Sequence, residues 1–390
     1  MNVTLLECPS PFLIDERVFP PLGLMAVATA LKRSGCCVTV RDKVVPWSDW
    51  YGIGPTVSQY PYAKKLLQEI KRDRPDARVM IGGPHASRFP ERCLDDGFDL
   101  AVVGDGENLK PEMLTSGVVR LPERPLDDYP IIDRDVLDEG IHAYHYEIDG
   151  IPATSTVTSR GCPYRCAFCA KYSRQVRFRS ADRVKDEIDY LCEVFGFRAL
   201  MFYDDTFILR PERVVAICHH LRRLGVVWRC FVRGDLIVRH GRDFVRFLAN
   251  CGCVEVAMGV ESGSDTILGA IHKGETVAEI RTAVSWLDAA GIRVKGLFIV
   301  GLPGESHETL RETRQLVEEL PFAALDFTVF QPYAGSPIWE NRAEYDIDWG
   351  ELSESHYKGR PGEYRCGVWT SSLTSEEIVA AREELEQAAA

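Results

Sequence analysis

The sequence predicts an α/β protein in two halves: an abridged flavodoxin-like parallel sheet, followed by a partial (β/α)6 TIM-like barrel. Three observations predict it. Strand-like and helix-like runs alternate over residues 1–110 and again over 151–330, as in helix-covered parallel sheets. In the second half, polar residues gather at the carboxyl ends of the strand-like runs, where barrels place their chemistry. In the first half, one crossover is too short to carry a helix.

Taken in order, "NVTLLECP" reads as a buried strand. "PLGLMAVATALKRSG" is a helix with Pro21 just before it and Gly35 at its end. "CVTVRD" is a second strand, and "YAKKLLQEIKRDRP" an amphipathic helix closed by Pro75. "RVMIGGPHAS" is a strand entering a Gly-Gly-Pro turn, and "DLAVVGDGE" is a strand ending in glycines. Between "VTVRD" and "YGIG" lies only "KVVPWSDW", shorter than the dozen or so residues a parallel crossover needs. Residues 111–150, with the prolines of "LPERPLDDYPIIDRD", read as a linker.

The alternation then resumes with strands at "TSTVTS", "ALMFYDD", "VVWRCFV", "VEVAMGV", "RVKGLFIV" and "LDFTVF". Between them, apolar stripes at helical spacing run through Val184, Ile188, Leu191 and Val194, through Val214, Ile217, Leu221 and Leu224, and through Val277, Ile280, Val284 and Leu287. Asp204, Asp205, Glu261 and Ser262 stand at the strand ends. Residues 331–390 form a C-terminal extension with "QPYAGSPIWE" and a last helix opened by a capping box from Thr374 to Glu377.

Composition excludes some functions. Lys plus Arg number 46 against 58 Asp plus Glu, a net charge of −12. That balance argues against nucleic-acid or anionic-membrane binding, which draw on basic surfaces. No apolar run approaches the ~20 residues of a membrane span, and "MNVTLLECPS" lacks the form of a signal peptide. The expectation is a cytoplasmic protein of 390 residues. Most of its thirteen cysteines, among them Cys36, Cys37, Cys192, Cys218, Cys251 and Cys253, are expected to be small core residues of a reducing compartment.

"SRGCPYRCAFCA" is different, because it places Cys162, Cys166 and Cys169 within eight positions. Structural zinc takes four closed ligands, and a four-iron cubane also normally takes four thiolates. The histidines nearest in sequence, His142 and His145, lie well upstream. Spacing alone leaves a cluster, a zinc site and incidental cysteines all open.

"CPYRCAFC" resembles the C-x3-C-x2-C motif of the radical S-adenosylmethionine (SAM) superfamily, with Phe168 before its last cysteine. "RFRSADRVKDEIDYL", "FYDDTF", "GVESGSD", "IHKG" and "GLFIVGLPGES" match the same family in order, over about 154–330. The resemblance implies a radical SAM barrel whose three thiolates hold a [4Fe-4S] cluster. The fourth iron would bind SAM, and one electron would cleave it to methionine and a 5'-deoxyadenosyl radical that abstracts hydrogen. It implies that Phe168, Ile299, Gly301 and Leu302 flank adenine, and that Glu261 and Ser262 bind ribose hydroxyls or the methionyl amine. It further implies that Arg233 pairs with the SAM carboxylate or with substrate, and that Asp205, beside Asp204, works over the barrel mouth. An electron would come from a flavodoxin or ferredoxin.

The first 110 residues resemble the cobalamin-binding domain of one branch of that superfamily, through "FPPLGLMAVATALKRSGCCVTVRD", "VMIGGPHAS" and "DLAVVGDGENL". That implies methyl transfer through cobalamin to a small molecule of specialised metabolism. Two departures stand against it. There is no D-x-H-x-x-G motif, and the crossover at 43–50 is short. His85 reads more simply as a turn residue than as a ligand, and "GDGE" at 104–107 as a cap. A cobalamin-independent rearrangement, cyclisation or dehydration therefore competes, with the first domain as scaffold. A methylthiotransferase would need more cluster cysteines and a basic C-terminal module. A non-catalytic iron–sulfur carrier would leave "GVES" and "GLPGE" without purpose.

Overall fold

Short apolar strands can be buried on both faces only if helices cover both, and the first sheet is built that way. Its strands are β1 (Asn2–Leu6), β2 (Cys37–Arg41), β3 (Trp50–Ile53), β4 (Arg78–Ile81), β5 (Leu100–Val103) and β6 (Gly117–Arg120). They lie in the order β2-β1-β3-β4-β5-β6, all parallel. The computed structural model describes residues 1–388 except 11, 12, 14, 46, 171, 172, 351 and 353–363. Contacts divide the chain into two units, Met1–Tyr146 and Glu147–Ala390.

Helix α1 (Leu22–Arg33) begins after Pro21 and stops before Gly35, which sits at φ +89°. Helix α2 (Tyr60–Asp73) buries Tyr60, Ala63, Leu67 and Ile70, one face at helical spacing. The Gly-Gly-Pro turn becomes two short helices, α3 (Gly83–Arg88) and α4 (Pro90–Asp95). Among the described residues no helix joins β2 to β3, yet β3 still pairs with β1 in parallel. Val44, from the short connection, packs on the core formed by Tyr51, Tyr60, Leu67 and Cys93. The sheet thus keeps its reversal point between β1 and β3, where doubly wound sheets open a ligand crevice.

Of the stretch read as a linker, residues 111–146 belong to this unit and 147–150 open the second. The former supply β6 and bury Leu126, Tyr129, Val136 and Ile141, while Leu137 bridges Val40 of β2. Its prolines interrupt helices, but the short turns between them still seat apolar side chains. Cys37, expected in the core, is exposed, because it falls on the outward phase of β2.

The second unit curls a seven-stranded sheet. In chain order its strands are β7 (Glu147–Ile148), β8 (Ile151–Thr156), β11 (Ala199–Phe202), β12 (Val227–Val232), β13 (Cys253–Glu261), β14 (Arg293–Val300) and β15 (Ala324–Val329). A small antiparallel pair, β9 (Ser159–Arg160) and β10 (Arg177–Phe178), flanks the cysteine loop. The order β15-β14-β13-β12-β11-β8-β7 is linear, so the barrel is partial; β8 to β15 run parallel and only β7 is antiparallel.

The connecting helices are α5 (Ala181–Glu193), α6 (Pro211–Leu224), α7 (Gly234–His240), α8 (Arg242–Asn250), α9 (Asp265–Ala270), α10 (Val277–Ala289) and α11 (His307–Glu319). The expected stripes are buried, with two exceptions. Leu224, at the end of α6, is half-buried. Val194 lies beyond the end of α5 and is 61% exposed. The extension forms α12 (Pro337–Glu340), β16 (Asp348–Trp349), β17 (Val368–Trp369) and α13 (Ser375–Ala388), whose Thr374–Glu377 capping box is present. Among the described residues no helix is long and apolar enough to cross a membrane.

Candidate cluster and cofactor site

The cysteine loop leaves the end of β8 and is fixed from several sides. Asp204, buried at the end of β11, accepts hydrogen bonds from Thr158 N (2.6 Å), Thr158 Oγ1 (2.5 Å) and Ser159 Oγ (2.8 Å). Burial holds its carboxyl pKa above the ordinary value despite those bonds. Gly161 follows at φ +92°, where a Cβ would lie 2.6 Å from Gln175 O, so only glycine fits there. Ala167, between the second and third thiols, is tied through both main-chain groups. Its N–H donates to Ile271 O (2.7 Å), and its carbonyl accepts from Ile338 N of α12 (3.1 Å). Cys169 N donates to Cys166 O at 3.2 Å. Cys166 is buried; Cys162 and Cys169 are half-buried.

A buried ionic network backs this loop. Arg233, at the end of β12, donates from Nε to Asp235 (2.9 Å), from Nη2 to Lys273 O (2.6 Å) and from Nη1 to Cys166 Sγ (3.7 Å). Tyr164 lies against the guanidinium, 3.7 Å from ring centroid to Cζ. Lys273 Nζ donates to Glu261 at 2.7 Å, and Glu275 stands within 4 Å of both cations. Burial works against the Lys273 ammonium, but Glu261 and Glu275 outweigh it and hold its pKa above the ordinary value. Burial raises the Glu275 carboxyl, with Lys273 and Arg233 pulling it back only in part. Buried charges of this kind are costly singly and tolerable only as a set.

The expected site residues divide into groups. Glu261 ends β13 in a left-handed turn (φ +65°) with one carboxylate oxygen on Lys273. Gly259 makes room for that pair, since a Cβ there would meet Glu261 Oε1 at 2.6 Å and Lys273 Nζ at 3.0 Å. Ser262 is fully buried and faces Thr313 of α11 (3.3 Å), so its hydroxyl serves the packing of that helix. Gly301, at φ +90°, lies against α13: a Cβ would sit 2.9 Å from Ile378. Leu302 is fully buried, and Ile299 and Phe168 are half-buried. Asp205 is exposed while Asp204 is sealed, so these two adjacent acids have separate surroundings. Arg233 is 5% exposed with all three nitrogens engaged, which turns it toward the cysteine loop and away from an incoming carboxylate.

Sequence reasoning did not single out Asp235, Lys273, Glu275 or Glu305. The signal was present as charged residues two apart, Arg233 with Asp235 just after β12 and Lys273 with Glu275 between α9 and α10. Glu305 is buried and accepts Gly301 N at 2.5 Å; burial pushes its carboxyl up to about 8, opposed by the Gly301 and Leu302 amides.

The donor set suits a cluster. Among the described residues no three His, Cys, Asp or Glu side chains converge as a single ion requires. A cubane instead takes one thiolate at each iron corner, and the three thiols stand on a loop braced on both sides of Ala167. In the first unit, Gly83 (φ +82°) and Gly104 (φ +97°) answer to the chain's own close approaches, with Cβ positions 3.2 Å from Pro55 O and 2.2 Å from Leu121 O. Gly82 is different: its Cβ would meet nothing nearer than Val102 at 3.7 Å, and it keeps the end of β4 low beside the crevice. With the β1–β3 reversal intact, this sheet fits a cobalamin-binding domain. His85 takes no part as an open ligand; it is fully buried, stacked at 3.5 Å on Tyr60 and beside Phe89.

Comparisons with known proteins agree with this geometry. The family model of the radical SAM superfamily matches residues 156–317, and that of the B12 binding domain matches residues 16–114. An uncharacterised methyltransferase of Pyrococcus horikoshii is 29% identical, over 75% of this chain and 69% of its own length. An anaerobic magnesium-protoporphyrin IX monomethyl ester cyclase of Rubrivivax gelatinosus is 26% identical, over 77% of this chain and 60% of its own. The chain thus spans between three fifths and seven tenths of these relatives. The fold is that of TsrM from Kitasatospora setae, a radical S-adenosylmethionine methyltransferase solved with cobalamin and a [4Fe-4S] cluster, at TM-score 0.76 and 18% identity, covering 98% of this chain and 88% of that one. The chain belongs to the radical SAM superfamily, in the branch that carries an N-terminal B12-binding domain.

Proposed function

We propose that this chain is a cobalamin-dependent radical SAM methyltransferase acting on a small molecule, with a flavodoxin or ferredoxin as its electron donor. The observation that carries the reading is the completeness of the first sheet. Its short crossover removes a helix, yet β3 takes its place beside β1 and the crevice-forming reversal survives. The methyltransferase names of the Pyrococcus relative and of TsrM support methyl transfer.

When bound, the cluster supplies one-electron reduction of SAM and the cobalamin a methyl carrier. The chain's own residues hold and shield that chemistry. Cys162, Cys166 and Cys169 are the cluster ligands. Asp204, Gly161 and the two bonds of Ala167 fix their loop. Glu261, oriented by Lys273, offers its second carboxylate oxygen to a hydroxyl or ammonium of SAM. Phe168 and Ile299 supply half-buried apolar surface for adenine, beside a chain reversal that Glu305 fixes through Gly301. Asp205 faces solvent, placed for polar contact with substrate.

Anaerobic reconstitution with iron, sulfide and hydroxocobalamin, followed by desalting and metal counting, tests the reading. About four irons and stoichiometric cobalt are expected, with label from methyl-labelled SAM appearing in product. Four irons without cobalt overturn methyl transfer. That outcome favours the second reading, a radical cyclisation or rearrangement, which the relationship to the Rubrivivax cyclase supports.

A further inference from the structure

We propose that Arg233 is a positioning residue that sets the reduction potential of the cluster held by Cys162, Cys166 and Cys169, through a fixed positive charge pressed on Cys166. The proposal rests on the cluster reading above and is independent of methyl transfer.

Three features carry it. First, the guanidinium has no freedom. Asp235 takes Nε, the Lys273 carbonyl takes Nη2, and Tyr164 closes one face, which leaves Nη1 aimed at Cys166 Sγ at 3.7 Å. Asp235 is itself anchored, its N–H donating to Glu275 Oε1 at 3.1 Å. Second, the site is nearly dry, with Arg233 at 5% and Cys166 at 7% exposure, so water screens the charge little. Third, guanidinium does not deprotonate in proteins, so the charge stays constant at every working pH.

Hydrogen bonds to cluster sulfurs and local charge are the means by which proteins tune such potentials. One electron enters from a low-potential flavoprotein or iron–sulfur donor; no bond forms or breaks and no proton moves. A cation beside a ligand sulfur favours the state with the extra negative charge, so Arg233 makes reduction easier. The balancing carboxylates of Asp235 and Glu275 sit on its other nitrogens, away from the N–H aimed at the sulfur. A lysine here would keep the charge but could not satisfy three partners in one plane.

The test is a redox titration of anaerobically reconstituted protein without SAM, followed by electron paramagnetic resonance, with iron counted for each variant. Wild type is compared with Arg233→Lys and with the pair Arg233→Gln and Asp235→Asn, which removes one buried charge of each sign so that the variant can fold. The neutral pair is expected to keep its iron while its reduction equilibrium falls at least tenfold, 59 mV for one electron. Arg233→Lys should fall less. An unchanged potential at full iron content overturns the proposal. Lost iron with an unchanged potential in the remaining cluster also overturns it, since Arg233 would then be only a brace for the loop. Iron absent from wild type defeats the cluster reading itself, a separate result.

Discussion

The two sheets use the same alternation of strand and helix but treat buried polarity in opposite ways. In the second unit, Arg233, Asp235 and Glu261 at or just after strand ends are buried together with Lys273 and Glu275 from the α9–α10 connection, each within 4 Å of an opposite charge. In the first unit His85 is buried with neither ring nitrogen bonded, stacked on Tyr60 with Phe89 tilted beside it. Burial, aided by Arg92, pushes its pKa down to about 4. The comparison teaches that burial alone does not mark a site. The paired charges back a loop that carries three thiols, whereas the imidazole serves as an aromatic plate in a core.

The largest effect should come from breaking the barrel's set. Lys273→Met leaves Glu261 and Glu275 without their shared cation and should cost about 3–5 kcal/mol, the usual penalty for removing one partner of a buried pair. Urea unfolding measures it. Adding Glu261→Gln should restore part of the loss, and if it restores none the charges are not coupled.

Next comes a glycine of the first sheet. Gly104→Ala forces a Cβ into the Leu121 carbonyl at positive φ and should cost about 1–3 kcal/mol, the scale of stored backbone strain. Stability should fall whether or not cobalamin is added. If only cobalamin binding weakens, the glycine serves the ligand after all.

The smallest effect sharpens the contrast itself. His85→Phe keeps the stack and removes two unbonded nitrogens, a gain of about 1 kcal/mol at neutral pH on the low end of the unsatisfied-group penalty. Because the folded pKa lies below the ordinary 6.5, wild-type His85 supports stability fully above 6.5. That support is lost as pH falls through 4. Thermal melts from pH 7 to pH 4 should therefore decline less steeply in the variant, and equal slopes would mean the ring protonates freely.

Much of this protein is determined by its sequence alone. The strand and helix periods define two α/β halves, since burying one face of a helix demands apolar residues at fixed spacing. Cys162, Cys166 and Cys169 sit close enough in the chain that local spacing suffices to select them, and "GVES" and "GLPGE" mark the strand ends. The tertiary structure alone decided the rest. Whether β3 would form across so short a crossover depended on β1 being free to pair with it and on Val44 packing against the core that includes Tyr51. That 111–146 packs as β6 and buried turns followed from contacts with β5 and Val40, distant in sequence. The roles of Arg233, Lys273 and Glu275 were hidden for the same reason. An isolated charge in a sequence has no sign of its partner, and only the fold brings residues 166, 233 and 273 within reach of one another.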